Sequence, residues 1–265
     1  MIAALPMYDW PEVKAETDAL WRALRDAFRA AGFAAPEARA RPADLFAHWL
    51  SPELLLSQTC GLPFSARLRG AVTLLGAPAY DLPGCAQGDY RSVVVVRAEE
   101  AAGAVADFAG RAFAFNMAES QSGFAAFAAS FGPPAALFGA LVETGAHRLS
   151  IRAVAEGRAD IASIDAVTWR LALDHEPAAR ALRVLAETPP TPGLPWITAR
   201  RGAEEAARLA EAAEAGIAAL GPAARAALHL NGFARRVEAD YEPLAAGWPA
   251  ENWREAPIDT PGRAP

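Results

Sequence analysis

Two short segments, residues 116–124 and 144–150, combine hydroxyl residues, glycine and histidine where an apolar, strand-like run gives way to a helix-like run. Backbone N–H groups at the start of a helix have no partner within the helix and point outward, so such a turn favours an anion. Two turns of this kind in one chain predict a binding site for a small oxyanion. The candidate ligand-binding residues within them are Ser120, Gln121, Ser122, Gly123, His147 and Ser150.

Each of these side chains also has an interpretation that needs no ligand. Ser120 and Ser122 flank a predicted helix start, where their hydroxyls can donate to a ligand oxygen while Gly123 permits a close backbone approach. The alternative for the two serines is an ordinary helix N-cap. His147 could donate from a ring nitrogen, with Ser150 one turn along the same helix face, or it could be an exposed or capping histidine.

Further candidates follow predicted strands, because open α/β sheets place ligand contacts at the carboxyl ends of their strands. Tyr8 follows the first strand and could supply a hydroxyl donor and an aromatic wall. Its alternative is an aromatic residue at the rim of the core. Gln58 and Thr59 end another strand and offer amide and hydroxyl donors, and Tyr90 is expected to orient the backbone between two halves of the chain.

The elements that must position these residues are predicted from alternating hydrophobic periods. A short strand at residues 2–5 precedes apolar residues at three- and four-residue spacing, which predict a helix over residues 13–28. Four consecutive valines within residues 90–97 predict a strand covered on both faces. The remaining pattern, which includes a predicted helix at residues 101–108, alternates strands and helices as far as residue 187. It favours mostly parallel sheets flanked by helices.

The segment 188–195 contains four prolines and a glycine, so it is predicted to be a semi-rigid connector rather than a helix or a central strand. The piece beyond it is too small for an independent core and is expected to return to the first α/β unit. The sequence thus predicts two lobes, residues 1–88 plus 192–265 and residues 89–191, joined by crossings near 86–91 and 188–195. Asp259–Pro265 is expected to be a disordered tail.

Composition excludes several classes of function. The chain has 265 residues, 53 % hydrophobic, and a formal net charge of −6 without a lysine and arginine cluster. These values argue against broad contact with nucleic acid or anionic lipid. No apolar run approaches the roughly 20 residues that span a bilayer. Arg148 and Arg152, four residues apart, are expected on a solvated helix face. Cys60 and Cys85 are compatible with free thiols or with a disulfide.

Motifs of catalysis are missing from the sequence. Ser122 is not part of a G-x-S-x-G elbow, because Ser120 stands where the first glycine belongs. The sequence also lacks H-E-x-x-H, C-x-x-C, the phosphate-binding G-x-x-x-x-G-K-[ST] pattern and the dinucleotide-binding G-x-G-x-x-G pattern. We therefore expect no catalytic residues, no metal and no cofactor.

Six segments together resemble, in order and spacing, the phosphate/phosphite/phosphonate substrate-binding proteins of ABC importers. The resemblance spans about residues 1–200 and implies a two-lobe type 2 periplasmic-binding-protein fold whose cleft closes on the ligand. It also implies that His147 and the Ser120–Ser122 turn hold the oxygens of the ligand. The segments are Tyr8, Ser57–Gly61, Tyr90–Ser92, Ser120–Gly123, Thr144–Ser150 and Ala162–Ala166.

Asp165 would then determine specificity, since a carboxylate beside an anion is unfavourable unless it accepts a proton or meets a positive group. A phosphonate that bears an amine would pair with Asp165 directly. A monoprotonated phosphate or phosphite could instead donate its P–OH hydrogen. The alternative is that Asp165 is the N-cap of the helix that begins at Ala166.

The sequence thus predicts a monomeric, non-enzymatic protein that captures phosphate, phosphite or an alkylphosphonate in an interlobe cleft. Its expected partner is an ABC permease. The N-terminus lacks the features of a signal peptide, so a periplasmic location requires a removed leader and a cytoplasmic one does not. The alternatives are a cytoplasmic ligand sensor or an enzyme on the same fold, and a purely structural α/β domain.

Overall fold

A computed structural model of the chain describes residues 1–246. The tail expected at Asp259–Pro265 lies outside the described residues. Strands and helices alternate along the chain as its periodicity predicts. The strands are β1 (Ile2–Ala3), β2 (Leu54–Gln58), β3 (Val72–Tyr80), β4 (Asp89–Tyr90), β5 (Ser92–Arg97), β6 (Ala112–Phe115), β7 (Ala140–Glu143), β8 (Ile161–Asp165), β9 (Leu182–Glu187), β10 (Thr191–Pro192), β11 (Trp196–Ala199) and β12 (Leu230–Ala234).

The helices carry the longer amphipathic segments, and short 3-10 or π turns precede or extend several of them. Two of these turns matter below: the 3-10 turn Pro11–Val13 before the first helix and the π turn Gln121–Ala125 before the fourth. The helices are α1 (Lys14–Ala30), α2 (Leu45–Trp49), α3 (Gly61–Pro63), α4 (Ala126–Phe131), α5 (Pro134–Leu137), α6 (His147–Ala155), α7 (Ala166–His175), α8 (Ala203–Ala219), α9 (Pro222–Ala227) and α10 (Glu238–Ala245).

Two five-stranded sheets organise the molecule, in the orders β1-β2-β11-β3-β12 and β7-β6-β8-β5-β9. We call the first sheet with its packed helices lobe 1 and the second sheet with its packed helices lobe 2. The sheets were predicted to be mostly parallel, and they are mixed. In lobe 1, β11 and β12 run against β3, and in lobe 2, β5 runs against both β8 and β9. Strands β5 and β11 each follow a segment that crosses between the lobes, and each runs opposite to both of its neighbouring strands.

The core of lobe 1 is formed by the apolar face of α1. Leu20, Trp21, Leu24 and Phe28 recur at three- and four-residue spacing and are buried. Helix α1 packs against α8, and Gly216 permits this contact, because a Cβ there would lie 2.8 Å from the Leu24 Cα atom. The predicted strand-then-helix start of the chain is therefore confirmed, and the burial of this face stabilises the lobe.

The core of lobe 2 is formed on both faces of the valine strand. Val94 and Val96 pack with Phe113 and Phe127 on one face, while Val93 and Val95 join the main cluster on the other. This confirms the prediction of a strand covered on both sides. The helix predicted at residues 101–108 is wrong in extent, since only a 3-10 turn, Val105–Phe108, forms there. The Asp107 carboxylate accepts hydrogen bonds from the backbone N–H groups of residues 103 and 104, which favours a loop.

The two connecting segments pair with each other. Strands β4 and β10 form an antiparallel ladder in which Tyr90 faces Thr191, and the Gly193 N–H donates to the Gly88 carbonyl at 2.7 Å. The proline-rich segment is thus an extended connector, as predicted, and the ladder joins both crossings side by side. No helix within residues 1–246 is long and apolar enough to span a bilayer.

Candidate functional site

A cleft of about 730 Å³ lies between the carboxyl ends of strands from both lobes. Its wall brings together five of the predicted site residues, which are distant in sequence. Lobe 1 contributes Tyr8, whereas the other four come from lobe 2. The five are Tyr8, Ser120, Ser122, His147 and Asp165.

Tyr8 and Asp165 meet across the cleft. The Tyr8 hydroxyl donates to the Asp165 carboxylate at 2.9 Å, and both side chains are buried. Burial, and after it the Asp165 charge, raises the pKa of the Tyr8 hydroxyl well above its ordinary value. Tyr8 therefore remains a hydrogen-bond donor at any physiological pH.

Asp165 caps a helix and also faces the cleft, so the two interpretations that the sequence left open do not exclude each other. Its second oxygen accepts the Thr168 N–H at 2.8 Å, so Asp165 is the N-cap of α7 while it faces the cleft. Burial raises the pKa of Asp165 from 3.8 to about 6, although the hydrogen bonds from Thr168 and Tyr8 oppose this shift. The carboxyl group is therefore able to accept a proton, or a P–OH hydrogen bond, near neutral pH.

The Ser120–Ser122 turn starts the π turn that leads into α4. The Ser120 hydroxyl accepts the Gly123 N–H at 3.0 Å as an N-cap, which leaves its own proton free to donate. The Ser122 carbonyl accepts two buried hydroxyls, from Ser92 at 2.8 Å and from Ser163 at 2.7 Å. These two serines lie on β5 and β8, so the central strands of lobe 2 fix the position of the turn. Both serines lie in segments that carry the family resemblance, but neither was predicted to bind the ligand.

Position 123 has room only for glycine, because the Asn116 side chain lies against it. A Cβ at this position would lie 1.8 Å from Oδ1 of Asn116 and 3.2 Å from Cε1 of His147. Asn116 is buried, lines the cleft, and its Oδ1 has no hydrogen-bond partner within residues 1–246. Asn116 follows β6 directly and was missed as a candidate, although its place after a strand is the same signal that selected Tyr8.

His147 begins α6 and contacts the serine turn. Its Nε2 lies 3.0 Å from the Ser122 hydroxyl, and burial lowers the pKa of His147 to about 4. The imidazole is therefore neutral at physiological pH, and the Ser122–His147 pair can offer a hydrogen to a ligand oxygen. Helix α6 has no side-chain N-cap, and residues 145–147 at its start line the cleft. Its first N–H groups thus add to the donors of the site.

The remaining predicted residues lie around the cleft wall rather than on it. Gln58 borders a small cavity that Tyr8 also lines, and the Thr59 hydroxyl is directed to the Cys60 carbonyl. The Ser150 hydroxyl bonds to Thr144 at 2.7 Å and supports the loop before α6. The Gln121 N–H donates to the Cys60 sulfur. Tyr90 is buried, and burial raises the pKa of its hydroxyl well above the ordinary value, although the neighbouring Ser122 opposes this shift. Ligand contact by these five residues stays a prediction.

Arg148 does not lie on a solvated face, as its spacing to Arg152 had indicated. Its guanidinium donates from two nitrogens to Glu12 of lobe 1, at 2.7 and 3.1 Å, and from Nε to Glu176 of lobe 2 at 2.6 Å. It also lies 4.4 Å from the centre of the Trp10 ring. Arg148 thus bridges the two lobes at the cleft, a contact that sequence spacing did not indicate.

The cysteines and the other side chains that could bind a metal are dispersed in the described part of the chain. Among residues 1–246 there is no group of three or more histidine, cysteine or acidic side chains arranged to hold a metal. Cys60 and Cys85 are both free, which resolves the alternative that the sequence left open. Burial raises the pKa of Cys60, so its thiol stays protonated. The predicted residues on the cleft wall are thus neutral hydroxyl and imidazole groups around the Asp165 carboxyl group.

Comparison with solved structures identifies the same architecture in other proteins. The binding protein component of an ABC phosphonate transporter from Pseudomonas aeruginosa has a TM-score of 0.68 at 17 % identity, covering 92 % of this chain and 83 % of its own. PhnD1 from Prochlorococcus marinus, in complex with methylphosphonate, has a TM-score of 0.68 at 15 % identity, covering 92 % and 96 %. XAC2383 from Xanthomonas citri, bound to ATP, has a TM-score of 0.64 at 15 % identity, covering 92 % and 97 %. These likenesses confirm the predicted fold.

Comparison of the sequence gives the family. No curated protein matches the chain. A sequence model of the family described as "ABC transporter, phosphonate, periplasmic substrate-binding protein" matches residues 62–244, which is well over half of the chain. That description is of a binding component rather than an enzyme, and it confirms the resemblance seen in the six segments. The chain belongs to the periplasmic phosphonate substrate-binding proteins of ABC transporters.

Proposed function

We propose that this protein captures a small phosphorus oxyanion (phosphate, phosphite or an alkylphosphonate) in the interlobe cleft and delivers it to an ABC permease. The observation that carries the proposal is the set of neutral polar groups that face the Asp165 carboxyl group from both lobes. Tyr8 lies on one side, and Ser120, Ser122, His147 and the start of α6 lie on the other. Such a set suits an oxyanion with one proton or one positive group to offer.

Hydrogen bonds rather than charge pairing supply the affinity in this proposal. Among the described residues of the cleft wall, Arg148 is the cationic side chain, and its donors already serve Glu12 and Glu176. The ligands of two structural neighbours, methylphosphonate and ATP, share tetrahedral phosphorus with terminal oxygens. A site for that shared group agrees with the arrangement of hydroxyls and helix N-terminus in this chain.

The proposed lobe boundaries follow the paired connectors. Lobe 1 would comprise residues 1–88 and 192 onward, and lobe 2 residues 89–191, so that the β4–β10 ladder forms the hinge. Ligand binding would shift the protein toward the closed arrangement, because only that arrangement brings Tyr8 and the lobe 2 donors to the same ligand. We propose that the mature protein acts in the periplasm as a monomer.

Isothermal titration calorimetry tests this function. The ligands are phosphate, phosphite, methylphosphonate, aminoethylphosphonate and sulfate, and the variant is Ser122→Ala. We expect at least one phosphorus oxyanion to bind more tightly than sulfate, because sulfate has no P–OH hydrogen or amine for Asp165. Ser122→Ala should weaken that binding about tenfold or more.

Ser130→Ala is the matched control, since the Ser130 hydroxyl bonds to a helix carbonyl of α4 and lies outside the cleft wall. It should bind like the unmodified protein. Equal affinity for sulfate and all phosphorus oxyanions, or no binding of any of them, would contradict the proposed function.

A further inference from the structure

The same cleft has a second, apolar part of its wall. Met7, Trp10, Leu45 and Phe46 of lobe 1 line it, and all four side chains are partly exposed. Met117 of lobe 2 lines it as well and is 40 % exposed. Large apolar side chains that remain open to solvent on a concave surface are typical of a binding surface rather than of a packed core. None of the five residues has a role in holding an oxyanion.

The cleft is also much larger than a small oxyanion requires. Its volume is about 730 Å³, whereas methylphosphonate occupies on the order of 100 Å³, because it has about five non-hydrogen atoms and a water molecule takes about 30 Å³. A tetrahedral phosphonate uses three oxygens for hydrogen bonds, so its fourth bond must lead away from the polar residues. Met7 is adjacent in sequence to Tyr8, and Met117 to Asn116, so the apolar wall begins beside the polar residues and is the surface available to that fourth substituent.

Two acidic residues limit what that substituent can be. Asp44 and Glu119 line the cleft beside the apolar residues, and Asp44 accepts the Ala47 N–H at 2.9 Å as the N-cap of α2. A second anionic group on the ligand would meet like charge here. A neutral apolar group would instead bury surface against Phe46 and Met117 and gain the hydrophobic free energy of that burial.

We infer that the preferred ligand of this cleft is a phosphonate or phosphate monoester whose substituent is an uncharged apolar group of about four or more carbons. The inference rests on the proposed function, because the phosphorus group is held by the donors described there. It goes further in naming the substrate class: the polar residues bind the head group, and the wall of Met7, Trp10, Leu45, Phe46 and Met117 selects its organic substituent.

Calorimetry with three graded probes tests the inference: methylphosphonate, n-butylphosphonate and 3-phosphonopropionate. We expect butylphosphonate to bind about tenfold or more tightly than methylphosphonate, and 3-phosphonopropionate to bind no better than methylphosphonate. Phe46→Ala and Met117→Ala should each remove several-fold of the gain shown by butylphosphonate. Both variants should leave the affinity for methylphosphonate within about twofold, because neither residue contacts the head group.

Leu50→Ala is the matched control, since Leu50 follows the same helix as Phe46, is 52 % exposed and lies outside the cleft wall. It should bind all three probes like the unmodified protein. If Phe46→Ala impairs folding, Met117→Ala on the other lobe still provides the test. Equal or weaker binding of butylphosphonate beside measurable binding of methylphosphonate overturns this inference alone. No binding of any probe overturns the proposed function, and the inference with it.

Discussion

At the scale of single residues, the structural and the functional interpretations of a side chain are compatible in this protein. Asp165 caps α7 with one oxygen and faces the cleft with the other, and Ser120 accepts as an N-cap while its hydroxyl proton stays available. Capping occupies acceptor capacity, whereas ligand recognition uses a donor or a second oxygen. The N-cap that the sequence offered as an alternative is therefore confirmed, and it positions the group that we propose for binding.

The titration of two buried groups gives a first prediction. The folded-state pKa of Asp165 is raised to about 6 from 3.8, so its contribution to stability is present below pH 4 and is lost as the pH rises through about 6. The pKa of His147 is lowered to about 4 from 6.5, so its contribution is present above pH 6.5 and is lost as the pH falls through about 4. Between about pH 4 and pH 6, a rise in pH therefore lowers the contribution of Asp165 to stability and raises that of His147.

A variant that lacks one of the two groups should therefore show the pH dependence of stability that the remaining group produces. Relative to the unmodified protein, we expect the free energy of unfolding of Asp165→Asn to increase from pH 4 to pH 7, and that of His147→Gln to decrease. Each change should be on the order of 3 kcal/mol or less. Urea unfolding at several pH values measures both. Curves for the two variants that run parallel to that of the unmodified protein would contradict the prediction.

A second prediction concerns Gly123. An alanine Cβ would overlap Oδ1 of Asn116, which is 1.8 Å away, so Gly123→Ala must displace Asn116 or the serine turn. We expect a loss of about 1–3 kcal/mol in the free energy of unfolding, together with weaker ligand binding. Gly103→Ala is the control, because a Cβ there meets nothing within 4 Å. Similar stability of the two variants would show that the turn has room to adjust.

At the scale of elements, the start of α6 lines the cleft and also makes a contact between the lobes. His147 lies on the cleft, and the next residue, Arg148, bonds to Glu12 in the 3-10 turn before α1. Glu176 is 4 % exposed and holds the Arg148 guanidinium from the side of lobe 2. Hydrogen bonding from Arg148 lowers the pKa of Glu12, so the pair stays ionised at neutral pH. Helix α6, which faces the cleft, is thus bonded to the opposite lobe.

A third prediction follows for Arg148→Ala. Loss of the bridge to Glu12 should favour the open arrangement and weaken ligand binding about three- to tenfold, mainly through faster dissociation. Stopped-flow dissociation of bound ligand measures the effect. Arg152→Ala is the control, because Arg152 lies on the same helix and also bonds to Glu176 but makes no hydrogen bond to lobe 1 within residues 1–246. Equal dissociation rates for both variants would mean that Arg148 has no role in closure.

At the scale of the whole molecule, contacts across the lobes occur away from the cleft wall as well. Arg170 on α7 donates to the Asp81 carbonyl at 2.7 Å, and His229 lies 2.9 Å from Asp174. Together with Tyr8–Asp165 and Arg148–Glu12, they join the two lobes in this structure. Leu171 of lobe 2 belongs to the same buried apolar cluster as Leu20 and Leu228 of lobe 1, so a movement of the lobes about two short connectors would separate apolar surface as well as these polar contacts.

A fourth prediction is that ligand binding makes the protein more compact in solution. Small-angle X-ray scattering should show a smaller radius of gyration with the tightest-binding phosphorus oxyanion than without it, since only the closed arrangement contacts the ligand from both lobes. Ser122→Ala at the same ligand concentration is the control, and its radius of gyration should decrease less. An unchanged radius at saturating ligand would contradict closure about the proposed hinge.

The sequence by itself determined the order of the elements, the covered valine strand, the amphipathic face of α1 and the turns at Ser120–Ser122 and His147. These features depend on residues a few positions apart, whose spacing encodes periodicity and capping. Only the tertiary structure decided that Tyr8 meets Asp165, which is 157 residues away, and that Arg148 bridges to Glu12. It also decided the antiparallel entry of β5 and β11. Such contacts depend on how the two lobes pack against each other. Local sequence patterns do not record which residues, distant in sequence, come together in space.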